Sequence, residues 1–419
     1  MEKELFRAII AENQEYIGRI PLVQRPLDLE EYGNYVFVGV RQAGKSYLLY
    51  QRIQQLLANG VEIENIVYIN FDDERLQGMS VTDFDLILQA YHSMYDSQPI
   101  FFFDEIQNVE GWANFARRLA NQKYHIYITG SNAKMLSRDI ETVLGGRYLD
   151  ISVFPYSFSE YLKAVGVLLS KNWQYGRKAN ELQRHFRTYF DWGGFPELVH
   201  FQEKRVWLNS LYNRIFFNDL VVRHKVKNED ALRLCVRRLA ESVKQPCSLN
   251  RLSNLIKATG TSCSPSTVME YVRYLQESCL LISIDNYVSK FVEKETIKKH
   301  YFVDNGLLHL FINNPNTSLL ENLCAITLYK KYGKGLYYYN KNIEVDFHVP
   351  DEGLAVQASY QMSDGETIER EVKALIALHG LYPLKRAMII TYEDEGEIVR
   401  DGLKIEIRPA WKWVVNGEC

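Results

Sequence analysis

The chain has 419 residues, enough for roughly two to four domains, each with its own core. Hydrophobic content of 47%, charged content of 24% and a net charge of -3 are ordinary for a globular protein and exclude a wholesale nucleic-acid coat, though not a local basic face. Six scattered cysteines with no C-x-x-C pair argue against a zinc site or a disulfide framework. The amino-terminal segment is charged and weakly apolar, no long apolar run follows, and fixed-period repeats do not occur. The expectation is a cytoplasmic protein with no membrane partner.

The first predicted strand, residues 35–38, runs into Gly39-Val40-Arg41-Gln42-Ala43-Gly44-Lys45-Ser46 and then into a helix carrying Leu48, Leu49, Ile53, Leu56 and Leu57 at helical spacing, closed by Asn59-Gly60. This is a G-x-x-x-x-G-K-S loop between a strand and a helix. Gly39 and Gly44 let successive N–H groups point at one anion, and the helix aims its positive end at the same place. Lys45 adds charge for the β- and γ-phosphates, and the Ser46 hydroxyl is placed to ligate Mg²⁺. The pattern predicts a nucleoside triphosphate site formed by Gly39, Arg41, Gln42, Ala43, Gly44, Lys45, Ser46 and Tyr47.

Further apolar runs at 66–71, 100–103, 125–130 and 149–153 alternate with helical stretches, which predicts an open parallel α/β sheet with its ligand at the carboxyl ends of the strands. At one such end stand Asp104 and Glu105. The aspartate is expected to hold Mg²⁺ and the glutamate to orient or deprotonate an attacking water, a pairing that favours a hydrolase over a passive nucleotide holder. The next strand ends in Ile128-Thr129-Gly130-Ser131-Asn132, where Ser131 or Asn132 is expected to sense the γ-phosphate or the water. The competing assignment for either residue is a helix cap.

GVRQAGKS, FFFDEIQNVEGW, ITGSNAKMLS, LGGRYLDISVFPYSFSEYL and YFDWGGFPELV occur in this order. Together they resemble a family of bacterial and archaeal AAA-type ATPases whose C-terminal region is similar to a PD-(D/E)XK nuclease fold. The resemblance spans nearly the whole chain. It implies ATP as the nucleotide and a core of five parallel strands. It also implies a phosphate-contacting role for Arg147 of the Gly-Arg element, in cis or from a neighbouring copy, with Arg138 as the lesser candidate. Arg41 fits the family loop and is expected to organise nearby acidic groups as often as it touches nucleotide.

Four regions follow: an AAA-type domain (1–155), a helical lid or connector (156–230), a winged-helix-like domain (231–295) and a nuclease-like α/β domain (296–419). In the connector, Asp191-Trp192-Gly193-Gly194-Phe195-Pro196 reads as a fixed turn that packs the lid onto the ATPase core. The third region has three helical stretches, the last opening at Ser264-Pro265, then a strand and a wing bearing Lys290, Lys294, Lys298 and Lys299. Glu270, Arg273 and Glu277 suit base contacts poorly, whereas Arg214, Arg223, Lys225, Lys227, Arg233, Arg237 and Arg238 form either a DNA-facing stretch or a solvated surface. In the last region, Glu321, Asp346 and Gln357 occupy the positions of nuclease metal ligands by resemblance. Ser359 stands where the lysine should be, and a hydroxyl cannot supply that charge, so the domain is expected to be inactive.

The expected function is an ATP-hydrolysing, Mg²⁺-dependent molecular switch coupled to the C-terminal domains. Two other classes stay open: an ATP-controlled DNA-binding or DNA-cleaving effector, and a nucleotide-gated regulator of a protein partner. The sequence leaves the oligomeric state open.

Overall fold

The computed structural model describes residues 1–30, 33–132, 142–169, 171–362 and 365–416, which fall into two units, Met1–Phe154 and Pro155–Cys419. The first unit is built on strands β1 (Asn34–Gly39), β2 (Ile66–Asn70), β3 (Ile100–Asp104), β4 (His125–Gly130) and β5 (Tyr148–Val153). They form a sheet in the order β2-β3-β4-β1-β5 with every pairing parallel. Phe101, Phe102 and Phe103 of β3 and Val36, Phe37 and Val38 of β1 are all buried, because helices cover both faces of a parallel sheet and leave no solvent side for polar alternation. Only β5, at the edge, exposes residues such as Leu149. The helix Lys45–Ala58 follows β1 directly and ends at Asn59, as its apolar spacing and the Asn-Gly stop require.

The second unit opens with the helices Phe158–Ala164, Gly176–Trp192 and Lys204–Arg214, the last continuing into a π-helical segment, Ile215–Val222. The Trp192–Pro196 turn is fixed by Asp304. A Cβ on Gly193, whose φ is +78°, would lie 1.9 Å from Asp304 Oδ1, and one on Gly194 would lie 2.2 Å from the Tyr156 carbonyl. Glycine therefore lets Asp304 Oδ2 accept the Gly194 N–H at 2.8 Å while Oδ1 accepts that of Gly306 at 2.8 Å. The turn thus locks onto residues of its own unit. Burial pushes the Asp304 carboxyl up to about 6, against the pull of these backbone donors.

Three helices come next, Glu229–Glu241, Leu249–Lys257 and Pro265–Glu277. Ser264 caps the third by accepting the Thr267 N–H at 3.1 Å, with Pro265 at the first helical position. The remaining strands are β6 (Cys247–Ser248), β7 (Leu281–Asn286), β8 (Ile297–Phe302), β9 (Tyr337–Asn340), β10 (Glu344–Val349), β11 (Leu354–Ala358), β12 (Arg386–Thr391), β13 (Gly396–Arg400) and β14 (Leu403–Pro409). They make one mixed sheet in the order β13-β14-β12-β11-β10-β9-β7-β8-β6. Because β7 pairs with β8 on one side and β9 on the other, the sheet runs unbroken across the boundary expected at 295/296. A core of Val345, Ala355, Val372, Leu375, Leu378, Ile389 and Ile405 packs the helix Gly365–Leu381 onto it.

Candidate active site

The loop from Gly39 to Ser46 is held by two different constraints on its glycines. A Cβ on Gly39 would sit 1.9 Å from the Val153 carbonyl of β5, so a close strand approach, not a special φ, demands glycine there. Gly44 has φ +93° and starts the helix from a left-handed residue, which glycine adopts at no steric cost. Gln42 takes φ +61° between them. Ala43 is buried, and Arg25 ties its carbonyl to the end of β5: Nη1 donates to Ala43 O at 3.1 Å and Nη2 to Phe154 O at 3.0 Å. Arg41 and Ser46 are half-buried, and Tyr47 is exposed.

Since β4 lies between β1 and β3, its carboxyl end stands between this loop and Asp104-Glu105. Asp104 is buried. It accepts hydrogen bonds from Tyr68 Oη at 2.8 Å, from Thr129 Oγ1 and from the Ser46 hydroxyl. Burial and then the neighbouring Glu105 charge raise its pKa, while the three donors pull it back. Glu105 takes φ +52°, a conformation that costs a non-glycine residue about 1–3 kcal/mol, and its N–H donates to Thr129 Oγ1 at 2.9 Å.

The Glu105 carboxylate is surrounded by donors. Lys45 Nζ is 3.5 Å from Oε1, the Gln107 amide donates to Oε2, and the Ser131 hydroxyl also bonds it. Burial alone would raise its pKa; Lys45, Gln107 and Arg41 outweigh that and hold it below the usual glutamate range. Lys45 is itself buried, with Nζ 3.2 Å from the carbonyls of both Gly39 and Val40. This is an ionised carboxylate beside a lysine at the mouth of a glycine-lined loop, an arrangement suited to binding phosphate oxygens and accepting a proton.

The structure thus brings together Lys45, Ser46, Asp104, Glu105 and Ser131, with the Arg41 charge acting on Glu105. Asn132, next along, is half-buried. Arg147 is exposed, its guanidinium donating to the Gly145 carbonyl at 3.1 Å. It precedes β5, whose far end, Val153, is the register partner of Gly39. The intervening strand separates it from the loop by roughly 20 Å at ~3.3 Å per residue. Arg147 therefore lies at the opposite end of β5 from the loop. Arg138 lies outside the described residues.

Three residues here were not anticipated: Tyr68 lies in an apolar strand, Gln107 is signalled only by its spacing after Asp104-Glu105, and Arg25 has no local signal. Thr129 was expected among the polar residues closing β4, and the structure puts it on Asp104 and the Glu105 N–H. For Mg²⁺, the donor set fits: the Ser46 hydroxyl and the Asp104 carboxylate are hard oxygen ligands already in contact with one another.

In the second unit, Glu321, Asp346, Gln357 and Ser359 line one cleft of about 1100 Å³, with Lys244, Arg370 and Lys373 also on its walls. Gln357 is engaged at both amide atoms, its Oε1 accepting the Asp346 N–H at 2.8 Å and its Nε2 donating to Glu344 O at 3.2 Å. The Ser359 hydroxyl donates to Gln361 O at 3.3 Å. Lys299, read in the sequence as a wing lysine, is instead buried behind this cleft, 3.2 Å from Glu321 and 3.0 Å from Asp346. Alternation along β8 turns it to the opposite face from Lys298, which pairs with Asp285 at 3.1 Å. The basic stretch is partly self-neutralised: Arg223 pairs with Asp219 at 2.9 Å, Arg238 with Glu241 at 2.7 Å, and Arg233 stacks over Phe216.

Residues 32–162 match the family described as AAA domain, and residues 183–318 match a domain of unknown function. The chain is 31% identical to an uncharacterized protein of Methanocaldococcus jannaschii, over 98% of this chain and 95% of that one. It is 30% identical to an uncharacterized protein of Haemophilus influenzae, over 88% of this chain and 92% of the relative. Among solved structures, a Walker-type ATPase of Pyrococcus abyssi aligns with a TM-score of 0.37 at 12% identity, covering 74% of this chain and 95% of that one. Among the described residues, no helix is long and apolar enough to cross a membrane.

Proposed function

The chain belongs to the family of AAA-domain proteins that includes its Methanocaldococcus jannaschii relative, and from that membership we propose that it is an ATP-hydrolysing molecular switch. The observation that carries this reading is the Glu105 carboxylate, held ionised beside Lys45 at the end of the strand next to the loop. The loop N–H groups and the Lys45 ammonium bind the β- and γ-phosphates. Ser46 and Asp104 hold Mg²⁺, which when bound supplies charge neutralisation at the phosphate oxygens. Glu105 orients the attacking water in line with the γ-phosphate and takes its proton. Thr129 fixes both carboxylates, donating to Asp104 and accepting from the Glu105 N–H. Because Arg147 stands at the far end of β5 from the loop, its place on phosphate is in the site of a neighbouring copy.

Turnover at this site changes the conformation of the second unit, which serves as the output and recognises a partner. A nuclease-like ancestry for residues 296–419 is part of the proposal, with cleavage lost because Ser359 replaces the lysine. Hydrogen exchange tests the coupling. Glu105→Gln loaded with ATP, compared with the wild type in ADP, is expected to alter amide protection within residues 155–416. Identical protection in the two states would sink the switch while leaving the ATPase intact. ATP turnover with and without duplex, hairpin and single-stranded DNA then separates a nucleic-acid output from a protein one.

A further inference from the structure

The carboxylate cleft of the second unit has the donors of a metal site but not the vacancy for one. Glu321 comes from the helix Asn316–Tyr332, and Glu344 and Asp346 from β10. Into their midst β8 sends Lys299, with 0% exposure. Its Nζ lies 3.2 Å from Glu321 Oε1, 3.2 Å from Glu344 Oε1 and 3.0 Å from Asp346 Oδ1. The ammonium donates hydrogen bonds to Glu321 and Asp346 and forms an ion pair with Glu344.

Two of these carboxylates are held by further donors: Asp346 Oδ2 accepts the Ala358 N–H at 3.1 Å, and Glu321 Oε1, the oxygen that faces Lys299, also accepts the Tyr301 hydroxyl at 2.8 Å. Gln357, the remaining ligand type, spends its carbonyl on the Asp346 N–H. Among the described residues, no group of three acidic, histidine or cysteine side chains is arranged to hold a metal ion. Burial disfavours the Lys299 charge, but Glu321, Asp346 and Glu344 together outweigh that and raise its pKa. Burial and then the Asp346 charge raise the Glu321 pKa, against the pull of Lys299 and the Tyr301 hydroxyl. Buried carboxylates need a paired cation, and this chain supplies its own.

We propose that Lys299 is the built-in cation of this cleft: its ammonium stands where a divalent metal would sit among Glu321, Glu344 and Asp346, and the cleft is closed to such metals. This is independent of the ATPase reading, since all of these groups belong to the second unit. The test is titration with Mn²⁺ alone, in the absence of nucleotide, following free Mn²⁺ by electron paramagnetic resonance. Wild type, Asp346→Asn and Glu344→Gln are expected to give the same curve. A wild-type site that either substitution removes would overturn the proposal.

Lys299→Met empties the central position and leaves the carboxylates in need of a cation. It should gain an Mn²⁺ site at least about tenfold tighter than anything in the wild type, lost again on adding Asp346→Asn. A folded Lys299→Met protein, judged by circular dichroism, that gains no site would equally overturn it. Should Lys299→Met not fold, the comparison of wild type with Glu344→Gln decides, because Glu344 is half exposed and tolerates substitution.

Discussion

Thr129→Val removes one oxygen and keeps the shape of a fully buried side chain, so its consequences can be worked out bond by bond. The Thr129 hydroxyl donates to Asp104 and accepts the Glu105 N–H at 2.9 Å. A hydrogen bond to a charged group contributes roughly 1.5–3 kcal/mol, and a buried donor left without a partner costs about as much again. Part of this is recovered because Asp104 keeps Tyr68 and Ser46 as donors. The net loss should be about 2 kcal/mol in holding the two carboxylates. At 1.4 kcal/mol per decade, that is about a 30-fold fall in turnover, with 10–100-fold as the range.

Nucleotide binding rests on the loop and Lys45, which the substitution does not touch, so affinity for a fluorescent ATP analogue should change less than about threefold. Thr129→Ser restores the oxygen and should restore most of the rate. Two results would refute the reasoning: Val turning over within about twofold of wild type, or Ser failing as badly as Val.

Further predictions concern packing and pH. Gly39→Ala places a Cβ 1.9 Å from the Val153 carbonyl, so β1 and β5 must part; overpacking of at least about 1–3 kcal/mol should lower the melting temperature and weaken ATP binding together. Gly193→Ala strikes Asp304 Oδ1 in the same way and should destabilise the second unit while leaving nucleotide affinity within about twofold of wild type, read by denaturant unfolding and analogue binding. His300 is buried against the Ser283 hydroxyl, and burial first and Lys298 second lower its pKa to about 4. The unfolded chain therefore binds a proton that the folded one refuses, and stability falls as pH drops from about 6.5 towards 4, by about 3 kcal/mol in all. Unfolding curves across that window should show the loss, and His300→Asn should flatten this part of it.

What the sequence made legible follows from how local each signal is. Strands β1 to β4 of the first sheet are visible because both their faces are buried, most plainly in the unbroken apolar run of residues 100–103. Helix ends such as Ser264-Pro265 and Asn59-Gly60 carry their own capping chemistry. The loop and the Asp104-Glu105 pair are equally local. Thr129 is different: the sequence places it among the polar residues that close β4, but its partners Asp104 and Glu105 follow only once β4 lies between β1 and β3. Of the two sensor candidates, Ser131 and Asn132, Ser131 bonds Glu105. Lys299 sits in a lysine pair that reads as a solvated wing, and only the pairing of β8 with β7, beside β9 and β10, turns it into the core. The need for glycine at 193 is likewise set by Asp304, far away in the chain.

The measurement that bears most directly on the central claim is phosphate release by Glu105→Gln under saturating ATP and Mg²⁺, alongside its affinity for the nucleotide. The account predicts that affinity is kept and steady turnover falls by about 100-fold or more, because the amide cannot take the proton from the attacking water. Turnover at the wild-type rate with unchanged affinity would contradict it.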